Sequence, residues 1–237
     1  MEQTSRTARH RTREEITEEI LRAARKRLTE AGPGELSLRA VARDVGMVSS
    51  AVYRYFPSRD DLLTSLLILA YDEIGAAVED ADHAVSDRAD LLARWTAACH
   101  AIRDWAVTHP GDYALTYGSP VAGYIAPRDT VGPATRGTVV LVTIVTDAYR
   151  DGRRARPAPP GARAGLEKTL GDAMRFVQAR DLPHPPPEVV ARTIMAWTSI
   201  FGTVSFELFG HLEGSVSDKA DWFDEVVLRL AVDLGLT

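Results

Sequence analysis

Cysteine is almost absent from this chain, which has one among its 237 residues, Cys99. An internal disulfide needs two cysteines and a cysteine-based zinc site needs several, so the sequence excludes both. The six histidines do not compensate, because none of their spacings matches the H-x-x-x-H or H-E-x-x-H pattern of a helical metal site. We therefore expect no metal centre.

Sequence signatures of catalysis and of membrane insertion are missing as well. No glycine-rich phosphate loop follows a predicted strand, and no G-x-S-x-G nucleophile elbow occurs. No apolar run reaches the roughly 18 residues of a membrane span, and the polar, arginine-rich N-terminus does not resemble a secretory signal. These absences predict a cytoplasmic protein that is not an enzyme, needs no cofactor and makes no membrane contact.

Positive charge is scarce overall but is unevenly distributed. The net charge is −5, from 28 Lys and Arg against 33 Asp and Glu. Residues 1–66 hold 12 basic and 10 acidic residues, a net +2, whereas residues 67–237 hold 16 and 23, a net −7. This asymmetry favours an N-terminal part that faces a polyanion, attached to an acidic body.

The strongest pattern lies in residues 37–63, SLRAVARDVGMVSSAVYRYFPSRDDLL. Ser37 is a helix N-cap residue, small or apolar residues follow at helical spacing up to Val45, and Gly46 can take the left-handed conformation that ends a helix. A second short helix is predicted from Ser49 to Tyr55, with Val52 and Phe56 buried. Two short helices joined by a tight turn are typical of a helix-turn-helix DNA-binding motif.

The order of residues in this region resembles the N-terminal domain of TetR-family (tetracycline-repressor-like) transcriptional regulators. The resemblance covers about residues 13–66 and is strongest in the VYRYF run at 52–56, followed by Arg59 and the Leu62–Leu63 pair. It implies DNA contacts from both short helices and from the start of the next helix. The expected DNA-binding residues are Arg39, Val48, Ser49, Ser50, Ala51, Tyr53, Arg54, Tyr55 and Arg59.

Val48 departs from the family pattern, which often has serine as the N-cap of the recognition helix. Two interpretations remain open. Either Ser49 caps a helix that begins one residue later, or Val48 makes an apolar contact, for example with a thymine methyl group.

The chain predicts an all-α fold with three parts: a disordered basic arm (residues 1–12), a three-helix DNA-binding domain (13–57) and a larger helical effector-binding and dimerisation domain (58–237). A capping box formed by Thr12 and Glu15 starts the first helix. Residues 153–162 are expected to form a surface linker. Further helices are predicted near residues 58–79, 87–109, 134–151, 163–180, 188–212 and 219–234. Residues 134–151 contain many β-branched side chains, so periodicity alone does not exclude a strand there.

The last two helices are apolar on more than one side, which predicts that they contact a partner chain. The resemblance implies that a second copy of this chain forms a four-helix bundle with them. The expected interface residues are Phe206, Leu208, Phe209, Phe223, Val227 and Leu230.

Aromatic residues make up only 7% of the chain, yet many fall in the helical body. Pockets for small molecules are lined mainly by apolar and aromatic side chains, so we hypothesise an apolar effector pocket in this body. Its expected lining residues are Trp95, Cys99, Ile102, Tyr113, Tyr117, Val145, Tyr149, Trp197, Thr198 and Phe201.

The function predicted from the sequence is a homodimeric repressor that leaves a palindromic or near-palindromic double-stranded DNA operator when a small, mostly apolar effector binds. Two alternatives remain. One is a helical binding or catalytic protein that has no DNA function, and the other is a regulator that has no small-molecule effector.

Overall fold

The computed structural model describes residues 12–158, 161, 165–180 and 182–237. Of the described residues 72% are helical and none lies in a strand, which confirms the predicted all-α fold. The described helices are α1 (Arg13–Ala31), α2 (Leu38–Asp44), α3 (Ser49–Val52), α4 (Arg59–Ala84), α5 (Leu91–Thr108), α6 (Pro110–Tyr117), α7 (Val131–Arg150), α8 (Leu166–Thr169), α9 (Gly171–Gln178), α10 (Pro187–Leu208) and α11 (Lys219–Leu234).

The described chain divides into two compact units. The first holds the residues up to Leu67 together with Gly111–Ala126, and the second holds Ile68–Pro110 and Pro127–Thr237. This division differs from the expected boundary between residues 57 and 58. The first nine residues of α4 remain with the N-terminal helices, and α6 belongs to the same unit although it lies far along the chain.

Helix α1 is built as its sequence predicts. The Thr12 hydroxyl accepts from the Glu15 backbone N–H at 3.2 Å, and the Glu15 carboxylate accepts from the Thr12 backbone N–H at 2.8 Å. This reciprocal capping box satisfies two N–H groups that a helix start leaves without partners. Ile20, Ala24 and Leu28 form the buried stripe of the helix. The arginines of the predicted arm at positions 6, 9 and 11 lie outside the described residues.

Helix α6 packs against α1 within the first unit. Asp112 has a side chain that is only 5% exposed and accepts from Arg25 at 2.9 Å. A Cβ placed on Gly111 would lie 2.5 Å from the Thr29 backbone nitrogen, so the two backbones meet where glycine has no side chain. The Arg25–Asp112 bond, between residues 87 positions apart, and the close approach at Gly111 explain why α6 joins the first unit.

The second unit has a core formed by α5, α7, α10 and α11. Trp95 is fully buried, and its indole N–H donates to the Val227 carbonyl at 3.1 Å. Arg94 is also buried and donates to Asp82 and to Asp147, each at 2.8 Å. Buried charges are stable only when they are paired and hydrogen-bonded, as these are.

Several helix bounds differ from the sequence-based prediction. The 134–151 segment is a helix, so the strand interpretation is wrong. Within residues 163–180 the structure describes two short helices, α8 and α9, instead of one. Part of the expected surface linker is held in place, since Arg156 N donates to the Asp233 carbonyl at 3.0 Å and Arg192 donates to the Pro157 carbonyl at 2.7 Å.

Helix α10 is the one described helix that is long and apolar enough to cross a membrane by length and composition alone. A core helix passes the same test. Part of α10 is buried in the second unit, and its remaining apolar side chains lie on the surface described below.

Candidate DNA-binding surface and ligand cavity

The turn between α2 and α3 is a Schellman motif. The Gly46 N–H donates to the Arg43 carbonyl at 3.2 Å, and the Met47 N–H donates to the Ala42 carbonyl at 2.9 Å. Gly46 has a φ of 67°, a left-handed conformation that residues with a Cβ rarely adopt. At the other end of α2, the Ser37 hydroxyl accepts from the Ala40 backbone N–H at 3.2 Å. Both predicted ends of α2 are therefore confirmed.

Val48 occupies the N-cap position of α3 and makes no side-chain cap bond. Because Ser49 is the first helical residue, the interpretation in which Ser49 caps a later start is wrong. The Val48 side chain is 70% exposed. It is therefore available for the apolar contact of the other interpretation, and the helix lacks the stabilisation that a serine cap provides.

Helix α3 is shorter than predicted, because residues 53–55 form a turn after Val52. Val52 and Phe56 are buried as expected, at 0% and 5% exposure. The expected DNA-binding side chains are divided by exposure. Arg39, Val48, Ser50, Tyr53 and Arg54 are exposed, whereas Ser49, Ala51, Tyr55 and Arg59 are half-buried.

Arg13 joins this surface, although the sequence pattern placed it with the N-terminal arginines. Its guanidinium lies over the Tyr55 ring, 5.3 Å from the centroid, and it donates to the Arg54 carbonyl at 3.3 Å. The start of α1 thus adds positive charge beside the residues that follow α3.

Arg59 makes contacts within the chain. Its Nε donates to the Leu36 carbonyl at 2.8 Å, and its Nη2 donates to the Pro33 and Gly34 carbonyls at 3.0 Å each. These bonds attach the first turn of α4 to the segment between α1 and α2. Arg59 therefore positions the start of α4, and its expected DNA contact stays a prediction. The predicted Ser58 cap of α4 is present, with the Asp61 N–H donating to the Ser58 hydroxyl at 3.1 Å.

A cavity of about 310 Å³ lies within the second unit, between α7, α9 and α10. Its walls are almost wholly apolar. Its described lining residues are Thr138, Val142, Val145, Thr146, Asp172, Ala173, Phe176, Val177, Pro185, Val190, Thr193, Ile194 and Trp197. Cavities of this size and character bind small molecules in many proteins.

Two of the ten expected pocket residues, Val145 and Trp197, line this cavity. Trp95, Cys99 and Ile102 are at most 1% exposed and belong to the packed core instead, where burial raises the pKa of the Cys99 thiol. Tyr113 and Tyr117 belong to the first unit and are not among the described lining residues.

The other expected pocket residues are also outside the described lining. Tyr149 lies under the Arg154 guanidinium, Thr198 is exposed, and Phe201 lies beside Trp197 with ring centroids 5.8 Å apart. The sequence interpretation missed Phe176 and Val177 of α9. Their adjacent apolar pair was the available signal, but the segment was interpreted as one long helix.

An apolar surface remains on α10 and α11. Phe206, Phe209 and Trp222 are 54%, 43% and 40% exposed, and a groove between the two helices runs along Ser199, Gly202 and Thr203. Phe223 and Val227, expected at a dimer interface, are each 1% exposed and belong to the core of the same chain. Helical spacing turns them inward while Trp222 and Val226 face outward. Leu208 and Leu230 are half-buried.

These features define a class of protein: a helix-turn-helix DNA-binding unit joined to a helical unit with an apolar cavity. No group of three or more possible metal-ligating side chains occurs among the described residues. Residues 20–66 match bacterial regulatory proteins of the tetR family, and residues 95–230 match the tetracyclin repressor-like C-terminal domain.

The chain belongs to the TetR family of DNA-binding transcriptional regulators. It is 40% identical over 217 residues to the HTH-type transcriptional regulators Rv1816 of Mycobacterium tuberculosis and Mb1846 of Mycobacterium bovis, covering 88% of this chain and 87% of each relative. It is also similar to the crystal structure of the regulatory protein SCO4313, with 30% identity and a TM-score of 0.72, over 94% of this chain and 98% of that one.

Proposed function

We propose that this regulator is a homodimeric repressor that leaves its operator when a small apolar molecule enters the cavity between α7, α9 and α10. The observation that carries the proposal is the pairing, in one chain, of an exposed helix-turn-helix surface with an apolar cavity of about 310 Å³. Because the matched relatives are regulators, the proposal assigns no catalytic reaction. Its place of action is the cytoplasm, where the operator DNA is.

On DNA, the start of α3 enters the major groove. Ser49, Ser50 and Ala51 have small side chains, so the α3 backbone can approach base edges closely, and Val48 is exposed beside them. Arg39 on α2 reaches a base edge or a phosphate. Tyr53, Arg54 and Tyr55 contact phosphates, which position the protein without reading the sequence.

A second copy of the chain covers the surface of α10 and α11. Gly202 supports this choice, since a Cβ added there would meet nothing within 4 Å in the single chain. Glycine inside a helix costs about 0.5–1 kcal/mol relative to alanine. Nothing in the single chain offsets this cost, but a glycine at position 202 allows a partner helix to approach closely. Two copies related by a two-fold axis would bind half-sites roughly 34–36 Å apart or a multiple of that distance.

Light scattering and sedimentation test the dimer. Phe206→Glu and Gly202→Leu are expected to shift the protein towards monomer. Val107→Glu is the matched control, because Val107 is exposed on α5 and lies outside the groove. If both groove variants remain dimeric at the wild-type concentration dependence, the dimer does not use this surface.

Release from DNA follows from a shift in population. An effector lowers operator affinity only by its differential affinity for the DNA-binding and non-binding conformations. Helix α7 carries four cavity-lining residues, and its Arg136 also hydrogen-bonds Glu79 and Asp72 of α4. We infer that a change in α7 reaches α4 through these bonds.

The experiment for the repressor proposal has two stages. Genome-wide recovery of bound DNA supplies the operator, and transcription from that operator is then compared with and without the protein. The proposal expects lower transcription with the protein present and recovery when an effector is added. Transcription that rises with the protein would identify an activator instead.

A further inference from the structure

The cavity between α7, α9 and α10 has walls that discriminate against charge. Apart from Asp172, every described residue that lines it is uncharged, and eight of the thirteen are alanine, valine, isoleucine, phenylalanine or tryptophan. Moving a carboxylate or sulfonate into such surroundings without a partner is costly, because the anion loses its hydration. An anionic ligand would need a cation inside the cavity.

The arginines on and just after α9 do not supply that cation. Arg175 forms an ion pair with Asp172. Arg180 donates to the Phe176 carbonyl at 2.9 Å, and its guanidinium lies over the Phe176 ring. Neither arginine is among the described lining residues. The side chain of Asp172 is 96% exposed and paired with Arg175, so this pair lies at the solvent side of the cavity and leaves no cation among the described lining residues.

Three threonines line the cavity, and the hydroxyls of two of them donate to backbone carbonyls of their own helices. The Thr146 hydroxyl donates to the Thr143 carbonyl at 3.0 Å, and the Thr193 hydroxyl donates to the Val189 carbonyl at 2.8 Å. A hydroxyl has one donor and two acceptor lone pairs. Both groups therefore remain as acceptors, and a ligand satisfies them by bringing an N–H or O–H.

Size narrows the ligand further. An engineered apolar cavity of about 150 Å³ binds benzene. A cavity of about 310 Å³ is twice that volume, which suits two or three fused or linked rings or an aliphatic chain of similar bulk.

We propose that this cavity selects uncharged, mainly apolar molecules of two- to three-ring size that carry a hydrogen-bond donor, and rejects carboxylates and sulfonates of the same shape. The inference deepens the proposed effector function and rests on it for biological meaning. Its test uses protein without DNA, so a failure here is distinguishable from a failure of operator binding.

A matched pair of fluorescent probes tests the charge discrimination. N-phenyl-1-naphthylamine is neutral and has one N–H donor, and 1-anilinonaphthalene-8-sulfonate has the same skeleton with an added sulfonate. Titration of the full-length protein is expected to give saturable binding of the neutral probe, and cavity binding of the sulfonate weaker by at least about tenfold.

Cavity-filling variants identify which binding belongs to the cavity. Val142→Phe and Ile194→Phe are each expected to weaken the neutral probe by at least about tenfold, because the added ring occupies its volume. Val139→Phe is the control, since Val139 lies on the same helix but outside the cavity lining. Circular dichroism and thermal melting identify any variant that misfolds. If one of the two cavity-filling variants misfolds, probe binding to the other one tests the proposal.

The donor requirement has its own comparison. Displacement of the neutral probe by 1-benzylnaphthalene, in which CH₂ replaces N–H, is expected to be about three- to tenfold weaker than displacement by N-phenyl-1-naphthylamine itself. In a Thr146→Val, Thr193→Val double variant this difference should become smaller, because two of the three threonine hydroxyls of the lining residues are gone. The proposal is overturned if the sulfonate binds the cavity as tightly as the neutral probe, if filling leaves the neutral probe unaffected, or if the donor makes no difference in wild type.

Discussion

The guanidinium of Arg136 on α7 donates two hydrogen bonds to the carboxylate of Glu79 on α4, from Nε at 3.0 Å and from Nη2 at 2.6 Å. Its Nη1 donates to the side chain and the backbone carbonyl of Asp72, about two turns earlier on α4, at 2.8 and 3.1 Å. Between these two contacts lies Gly75, where an added Cβ would be 2.7 Å from the Arg136 Cβ. The hydrogen bond from Arg136 lowers the pKa of Glu79.

Removal of this clamp is expected to destabilise the protein. Arg136→Met keeps most of the side-chain volume but loses all the hydrogen bonds, and we expect a loss of about 1–2 kcal/mol in the free energy of unfolding. Both partners are about one-third exposed, which limits the effect. The control is Arg229→Met, which breaks an exposed pair with Glu225 and should cost under about 0.5 kcal/mol. Urea unfolding measures both, and equal values would contradict the clamp.

Acid should weaken the buried pair of Asp82 and Arg94. Burial of Asp82 opposes its ionisation and is the largest single influence, but hydrogen bonds from Arg94 and Arg88 outweigh it and hold the pKa of Asp82 below its usual value. A carboxyl whose pKa is lower in the folded state contributes stability above its unfolded pKa of about 3.9, and that stability is lost as the pH falls through the folded value.

The variant Asp82→Asn isolates this contribution. At pH 7 we expect the free energy of unfolding to fall by about 3 kcal/mol, because Arg94 loses a buried partner. This corresponds to a melting temperature lower by about 6–12 °C. The gap between wild type and variant should narrow as the pH falls from about 5 to about 3, because Asp82 of the unfolded wild-type chain takes up a proton while the folded carboxylate, with its lowered pKa, stays ionised to a lower pH. Asp151→Asn serves as the exposed control. A gap that stays constant over this range would show that the ionised form of Asp82 does not stabilise the fold.

Gly111 should not tolerate a side chain. A Cβ there would lie 2.5 Å from the Thr29 nitrogen and 2.7 Å from the Leu28 carbonyl carbon, and backbone atoms cannot turn aside. Gly111→Ala is expected to cost about 1–3 kcal/mol by pushing α6 away from α1. Gly132→Ala is the matched control, because nothing lies within 4 Å of its added Cβ and alanine favours a helix. Thermal melts should therefore shift in opposite directions.

Val48 offers a gain in stability at the DNA-binding surface. Val48→Ser supplies the missing N-cap oxygen of α3 and is expected to add about 1 kcal/mol, whereas Val48→Ala, which also removes the apolar side chain, should add none. If Val48 contacts a base, both variants lose operator affinity even though one of them is more stable. A serine variant no more stable than the alanine variant would show that α3 is capped in another way.

The parts that were predictable from sequence are those with local causes. The caps at Thr12 and Ser37 and the left-handed Gly46 each act within a few residues, so the start of α1 and both ends of α2 follow from neighbouring residues. The helix-turn-helix motif was recognised for the same reason. The family resemblance added the meaning of the VYRYF run, which periodicity alone does not give.

What could not be predicted depends on contacts between distant segments. The close packing of the Gly111 and Thr29 backbones places α6 in the first unit, and no local sequence pattern predicts this contact. Apolar spacing shows that Trp95 is buried, but it does not distinguish a packed core from the wall of a cavity. Trp95 was therefore assigned from the sequence to the effector pocket, whereas it lies in the packed core. The hydrogen bonds of Arg59 could not be predicted either, because its carbonyl partners at 33–36 lie more than twenty residues away in the sequence.

Operator affinity of matched variants is the most direct measurement of the central claim, that the exposed residues of α2, α3 and the following turn bind DNA. On the recovered operator, Tyr53→Phe should bind within a few fold of wild type, and an Arg39→Ala, Tyr53→Ala double variant should lose at least about tenfold, with a shallower dependence on salt. Both variants should melt as the wild type does. Wild-type operator affinity in the folded double variant would contradict the account.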